Sequence, residues 1–319
     1  MVSRILVLRP GAIGDTLVTL PAIQALRQRF PSAKIEMAGN PAALPLLASS
    51  NLVDRCLAFD DPRVTRLFVA GAPLADDPFL GLDSAVAWCA DPDGVLARAL
   101  TARGASQVVV APSRPPPGRQ VHVARHLVET LRPLGIELAD PLELPSLRSS
   151  TGSERQAREE LLALGLKGRA FVAVHPGSGS PTKNWPAERF AAVIDALEER
   201  YGMPSLVLGG PADAETVARL GAATRNRSLV LLDRPLGVVA AVLRRARAFL
   251  GNDSGLSHLA GLLGVPTLAL FGPTDPVVWS PLGPRVRVVR SEPLAVLTVE
   301  RVHVALASLC ATSVSEPGL

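Results

Sequence analysis

Short apolar runs recur along the chain, each followed by a turn of small residues and then by a longer run in which apolar positions return every third or fourth residue. The short runs have the length and flanking glycines of buried strands, and the longer ones have the period of helices that cover them. In the first half the strands are 5–8, 34–38, 55–58 and 107–111, with helices after Asp15, after Pro41, near 94–103 and over 121–134. Between residues 60 and 91 the pattern dissolves into proline, glycine and aspartate with scattered apolar residues, and it predicts no element there. An aperiodic stretch rich in proline, serine and leucine, 139–152, then leads into a charged helix running from Ser153 to near Gly165.

The second half repeats the alternation. Strands at 171–175, 206–208, 229–231, 248–250, 267–270 and 286–289 are interleaved with helices after Pro186, after Pro211, near 236–245 and after Ser254. Such alternation predicts parallel sheets with helices on both faces. Two doubly wound α/β domains follow, 1–150 and 151–319, divided in the aperiodic linker. A last helix, 298–309, has Thr298 as its N-cap and an apolar stripe of Val302, Ala305, Leu306 and Leu309. In a two-domain protein with a central cleft, a helix so placed is expected to pack back on the first domain.

Composition narrows this reading. A chain of 319 residues that is 48% apolar can bury two cores of roughly 150 residues each. No apolar run reaches the ~18 residues of a transmembrane helix, and the first residues read as a strand, unlike a signal peptide. A cytoplasmic location is expected. Cys56, Cys89 and Cys310 are too few and too scattered for a disulfide framework or metal cluster and read as buried thiols. The net charge of +4 rests on arginines dispersed among acids, with only Lys34, Lys167 and Lys183 as lysines. That dispersal argues against nucleic acid as a partner and leaves room for an anionic substrate or a membrane surface.

The candidate chemistry sits in the turns that leave strands. Arg9-Pro10-Gly11-Ala12-Ile13-Gly14-Asp15-Thr16 joins the first strand to the first helix. Its glycines, Gly11 and Gly14, let the backbone turn and lie close to a ligand, and Asp15 falls where a carboxylate either caps a helix or serves as a base. The spacing Gly-x-x-Gly fits a dinucleotide fingerprint poorly. His175-Pro176-Gly177-Ser178-Gly179-Ser180 leads through Thr182 and Lys183 to Trp185-Pro186, pairing a small-residue loop suited to phosphate with a point charge. Asn252-Asp253-Ser254-Gly255-Leu256-Ser257-His258 again passes from strand to helix start, an anion site. It lacks the Gly-x-Ser-x-Gly elbow of a hydrolase, and neighbours along one helix cannot form a catalytic triad.

Further turns follow at Gly209-Gly210, where Asp213 or Glu215 could meet a ribose or cap a helix, and at Gly272 and Thr274. Asp91-Pro92-Asp93 has the form of a metal-binding Asp-x-Asp, but its proline and irregular surroundings read as a turn. The loop arginines Arg114 and Arg119 are candidates for an anionic acceptor. All the turns would lie at the carboxyl ends of parallel strands, where open α/β sheets bind ligands. Together they describe a cleft for a nucleotide donor facing a carboxylate.

As a set, the segments from Gly11 to Asp15 with Leu20-Pro21-Ala22, from His175 to Pro186, Gly209-Gly210, from Asn252 to Ala260, and from Phe271 to Thr274 resemble glycosyltransferase family 9, the ADP-heptose lipopolysaccharide heptosyltransferases. The resemblance spans almost the whole chain. It implies a GT-B fold, two Rossmann-like domains with a central cleft, and inverting, metal-independent transfer of heptose or a similar sugar from a nucleotide-diphosphate donor, with ADP as the expected nucleotide. The acceptor it implies is a cell-envelope glycan or glycolipid such as lipopolysaccharide core, reached with no cofactor and with the enzyme in peripheral contact with the inner membrane. Asp15 would then be the base and Lys183 the stabiliser of the leaving diphosphate. The donor side would comprise Gly14, Ser178, Thr182, Gly209, Asp213, Glu215, Asp253, Ser254, Gly255, Ser257 and His258. A catalytically silent nucleotide-sugar-binding protein of the same fold is the alternative, and an NAD(P)-dependent dehydrogenase the remote one.

Overall fold

The computed structural model describes residues 2–225 and 228–312. The chain divides into two compact units, Met1–Arg148 and Ser149–Leu319. The first holds five parallel strands, β1 (Arg4–Leu8), β2 (Lys34–Gly39), β3 (Arg55–Ala58), β4 (Ser84–Ala87) and β5 (Gln107–Val110), in the order β3-β2-β1-β4-β5. β1 is flanked by β2 and β4, with Ile5 opposite both Ile35 and Ser84, so the direction of winding reverses between β1 and β4. The turn that leaves β1 therefore opens at the switch point of the sheet, the usual ligand position in such folds.

β4 lies inside the stretch for which the sequence pattern predicts nothing. Its four residues are all buried and small, so there is no alternation to read. The surrounding loop is nevertheless anchored: Val64, Leu67, Phe79 and Leu82 enter the core with Leu96 and Leu100. Asp77 and Arg103 form a buried ion pair at 2.5 Å, and the Asp77 carboxylate also accepts the Phe79 amide. Elsewhere the boundaries shift. The expected helix 121–134 is an α-helix, Val123–Glu129, followed by a short 3₁₀ turn, Arg132–Leu134, because Pro133 interrupts the ladder. The charged helix begins earlier than Ser153, at Thr151, with the Ser150 hydroxyl capping the Ser153 amide.

The second unit has six parallel strands, β6 (Val172–His175), β7 (Ser205–Gly209), β8 (Leu229–Leu232), β9 (Ala248–Asn252), β10 (Thr267–Phe271) and β11 (Val286–Arg290), in the order β11-β10-β9-β6-β7-β8. Its switch point lies between β6 and β9, which pair directly, Val174 opposite Leu250. Trp185 is fully buried, meets Phe190 edge to face at 5.1 Å, and donates its indole N–H to the Leu297 carbonyl at 3.1 Å. The last helix, Val299–Thr312, packs on helix Ala187–Tyr201 and on β9 and β10 of its own unit. Val302, Leu306 and Leu309 of its apolar stripe join the core of the second unit.

Candidate active site

Asp15 is the third residue of a one-turn helix, Ile13–Leu17, whose N-cap is Ala12, and its carboxylate caps the helix start by taking the Ala12 amide, so the expected capping role is present. Its Oδ2 accepts the Ala12 amide at 2.9 Å, and its Oδ1 accepts Arg9 Nη2 at 2.8 Å. Arg9 is buried where β1 ends and also donates to the backbone carbonyls of Asp15 and Pro10. Burial pushes the Arg9 guanidinium below its ordinary range, the Asp15 carboxylate opposes that, and the nearby charge of Arg114 adds to it. The arrangement holds the carboxylate by one contact on each oxygen. About two of its four lone-pair sites remain for other partners, and the side chain is 27% exposed.

Gly11 makes this possible. It sits at φ +127°, and a Cβ there would lie 2.6 Å from Asp15 Oδ2. Gly14 contributes a backbone carbonyl to the next turn, accepting the Val18 amide. Beside this turn, at the carboxyl ends of β4 and β5, a groove of about 680 Å³ is lined by residues that include Cys89, Asp91, Pro112 and Arg114. Burial, with the charge of Asp91, pushes the Cys89 thiol up to about 11, so it stays protonated at neutral pH. Arg119 pairs with Glu129 at 2.7 Å.

Asp91 has a local role. Its two oxygens accept the Leu96 and Ala97 amides at 3.0 and 2.9 Å, at the start of helix Val95–Ala102. Both oxygens therefore satisfy orphan helix donors. Asp91→Ala should lower unfolding free energy by about 1 kcal/mol in a denaturant titration, with turnover rates equal in the presence of magnesium or chelator. Among the described residues no group of three or more His, Cys, Asp or Glu side chains is placed to hold a metal ion.

In the second unit three turns meet around Lys183. Its Nζ donates to Asp253 Oδ2 at 2.9 Å, and the Thr274 hydroxyl donates to the same oxygen at 2.7 Å. Asp253 is buried at the end of β9, while Lys183 remains partly exposed. The carboxylate thus brackets the lysine between the turns after β6 and β10. Asn252 holds the backbone of the same turns, its side chain accepting the Trp185 amide at 3.0 Å and donating to the Pro176 carbonyl at 2.8 Å.

A second chain of contacts crosses the switch point. His175 Nε2 lies 3.1 Å from Asp213 Oδ2, and His175 Nδ1 lies 3.1 Å from the Ser254 hydroxyl. Asp213 also accepts the Gly210 amide at 2.8 Å. Burial alone would raise its carboxyl, yet the hydrogen bond and charge of His175 and the Gly210 amide hold it below the ordinary carboxylate range. An ionised Asp213 accepts Nε2–H, and Nδ1 shares the second contact with the Ser254 hydroxyl, donor and acceptor there following the protonation of the ring. The Ser254 oxygen in turn caps the Ser257 amide at the start of helix Gly255–Leu262. Asp213 is turned inward against Gly177, where any Cβ would collide with its Oδ1.

The remaining sequence candidates divide by exposure. Gly255 is partly exposed and opens its helix, where amides lack partners of their own. Ser257 and His258 are buried, and the Ser257 hydroxyl donates to the Asn252 carbonyl. Ser178 donates to the Ser180 carbonyl at 2.7 Å, and Thr182 and Ser180 share a hydroxyl contact at 2.9 Å. Gly209 is packed tightly, with Leu232 2.9 Å from the position of a Cβ. Glu215 is exposed in the first turn of helix Ala214–Ala223 and is not among the residues bonded around Lys183. Two members of the site, Arg9 and the His175–Asp213 link, do not stand out in the sequence. The signals they leave are a charged residue closing a buried strand and a histidine directly before Pro-Gly.

Residues 99–305 match the sequence family described as glycosyltransferase family 9 (heptosyltransferase). The chain belongs to glycosyltransferase family 9. It is accordingly a glycosyltransferase, and its two doubly wound sheets are those of the GT-B fold. Among family members, it is 27% identical over 289 residues to lipopolysaccharide heptosyltransferase 3 of Escherichia coli K12, covering 84% of this chain and 82% of that protein. The crystal structure of a family 9 glycosyltransferase from Veillonella parvula superposes with a TM-score of 0.83 at 22% identity, covering 97% of this chain and 98% of the other. The E. coli heptosyltransferase WaaC with ADP superposes with a TM-score of 0.70 at 21% identity, covering 96% and 99%.

Proposed function

We propose that this enzyme transfers heptose from an ADP-linked donor to a lipopolysaccharide core acceptor, with inversion at the anomeric carbon and without a divalent metal. The observation that carries the reading is the bracketed Lys183, held by Asp253 among turns at the carboxyl ends of β6, β9 and β10. Attack at an anomeric carbon needs a proton acceptor for the incoming hydroxyl and stabilisation of the departing diphosphate. Asp15 serves as the first. Lys183, with the amides at the start of helix Gly255–Leu262, serves as the second. Thr182 and Ser178 line the same turn and assist in holding the donor, and Arg114 meets the acceptor from the groove beside Asp15.

The sugar and nucleotide are supported by relatives: one is named a lipopolysaccharide heptosyltransferase and another was solved with ADP. A glycolipid acceptor lies in a membrane, and a peripheral contact with that membrane belongs to the same reading. No helix among the described residues is long and apolar enough to cross one.

The test is incubation of purified protein with ADP-heptose and a heptose-deficient core acceptor in the presence of chelator. Expected results are ADP release, a heptose mass increment on the acceptor, and inverted anomeric configuration by NMR. ADP should raise the melting temperature, as any ligand of the folded state does, and UDP and GDP less so. Stabilisation by ADP with no release across a panel of core acceptors would instead mark a silent nucleotide-sugar binder.

A further inference from the structure

The second unit carries a groove of about 840 Å³ at the end of its sheet opposite the donor turns. The residues around it precede strands: Phe171 precedes β6, Arg247 precedes β9, Pro266 precedes β10 and Arg285 precedes β11. Strands of four or five residues separate this end from the Lys183 cluster by roughly 15 Å. Nothing in the transfer chemistry uses it.

Its lining is strongly one-sided in charge. Arg158, Lys167, Arg169, Arg245, Arg247 and Arg285 face a single carboxylate, Glu159. Three of the cations are partly engaged: Arg245 pairs with Glu154 at 2.8 Å, Arg247 donates to the Cys310 carbonyl, and Arg285 donates to the Gly264 carbonyl. Arg158, Lys167 and Arg169 are exposed and form no ion pair among the described residues. The groove floor is apolar, with Leu161, Leu166 and Phe171 buried beneath it. Leu162, 58% exposed, stands at the rim one helical turn from Arg158. A volume of this order suits one small amphiphile, and cations around an exposed leucine are the composition of surfaces that lie in a membrane interface.

We propose that this groove binds the phosphate headgroup of an anionic phospholipid, docking the second unit on a negatively charged bilayer. The proposal rests on the membrane-acceptor reading only for its purpose. Its physical content is separate, because vesicle binding is measured without turnover. Charge complementarity selects the headgroup, and Leu162 with the apolar floor takes the first acyl carbons. A soluble anion would use the cations and leave Leu162 in water.

The experiment is co-sedimentation of the full chain with phosphatidylcholine vesicles, with and without phosphatidylglycerol, at low and high salt. Binding is expected only with phosphatidylglycerol and should weaken as salt screens it. The triple variant Arg158→Gln, Lys167→Gln, Arg169→Gln should partition about a hundredfold less, and Leu162→Ser should weaken binding without changing its salt dependence. Both variants should keep the wild-type melting temperature and its shift with ADP, which separates loss of the surface from loss of the fold or of donor binding. Equal binding to neutral vesicles, no binding to either kind, or unchanged binding by the triple variant would overturn the proposal. So would stabilisation by inorganic phosphate without vesicle binding, which would assign the groove to a soluble anion.

Discussion

Asp15→Asn should leave ADP affinity intact and lower transfer by about 100- to 10,000-fold, the range lost with a general base. The expectation follows from the geometry of the turn. An ionised carboxylate accepts Arg9 on one oxygen and the Ala12 amide on the other, and still has lone pairs for an acceptor hydroxyl. An amide has one acceptor atom and no comparable basicity, so it can hold one of the two donors and cannot remove a proton. Arg9 keeps its bonds to the Asp15 and Pro10 carbonyls, so the turn should persist in the variant. The measurement is steady-state turnover alongside calorimetric titration of ADP. Gly11→Ala supplies a second arm, because its Cβ would meet Asp15 Oδ2 at 2.6 Å and displace the carboxylate without removing it. Transfer within tenfold of wild type in Asp15→Asn would remove the base assignment.

The parts of this site that are legible in the sequence are those carried by one turn. Asp15 after two glycines, and Lys183 after a run of serine and glycine, are visible as candidates because small residues and a charge follow a strand end, though a charge there can equally cap a helix, as Asp15 does. What sequence does not supply is the order of strands. His175 meets Asp213 across 38 residues and Ser254 across 79 because β6 pairs with β7 on one side and β9 on the other, and nothing in the local pattern of these residues encodes that adjacency. Asp213 reads from its turn as a contact for ribose or a helix cap, and its contact with His175 is invisible there. β4 escapes by the same physics. A strand of Ser84, Ala85, Val86 and Ala87 buried on both faces has no alternation, and its neighbours Asp83 and Trp88 resemble loop until Trp88 is seen to donate to Thr130 at 2.9 Å. The last helix shows what a stripe can and cannot say. Its apolar stripe is real, but a stripe states that a face is buried and not what buries it.

Lys183→Met should lower transfer by about 100- to 1,000-fold, the cost of removing one electrostatic stabiliser of a developing charge, and should weaken ADP binding as well. Two causes would be mixed in that loss. The methionine deletes the cation proposed to meet the diphosphate, and it also strands Asp253, whose side chain is 6% exposed and would keep only the Thr274 hydroxyl. A buried carboxylate without its cation destabilises the fold and repels an anionic ligand. Asp253→Asn in the Lys183→Met background separates them. With the charge gone, the melting temperature should recover towards wild type and part of the ADP affinity should return, because the repulsion has been removed. Transfer should stay low, because neutrality at this point does not replace a positive charge on the departing phosphate oxygen. Stability and turnover would then part company in the double variant, as they must if the ion pair positions Lys183 for a reaction. Recovery of turnover together with stability would reduce Lys183 to a counter-ion for Asp253 and move the leaving-group role to the helix amides at Gly255.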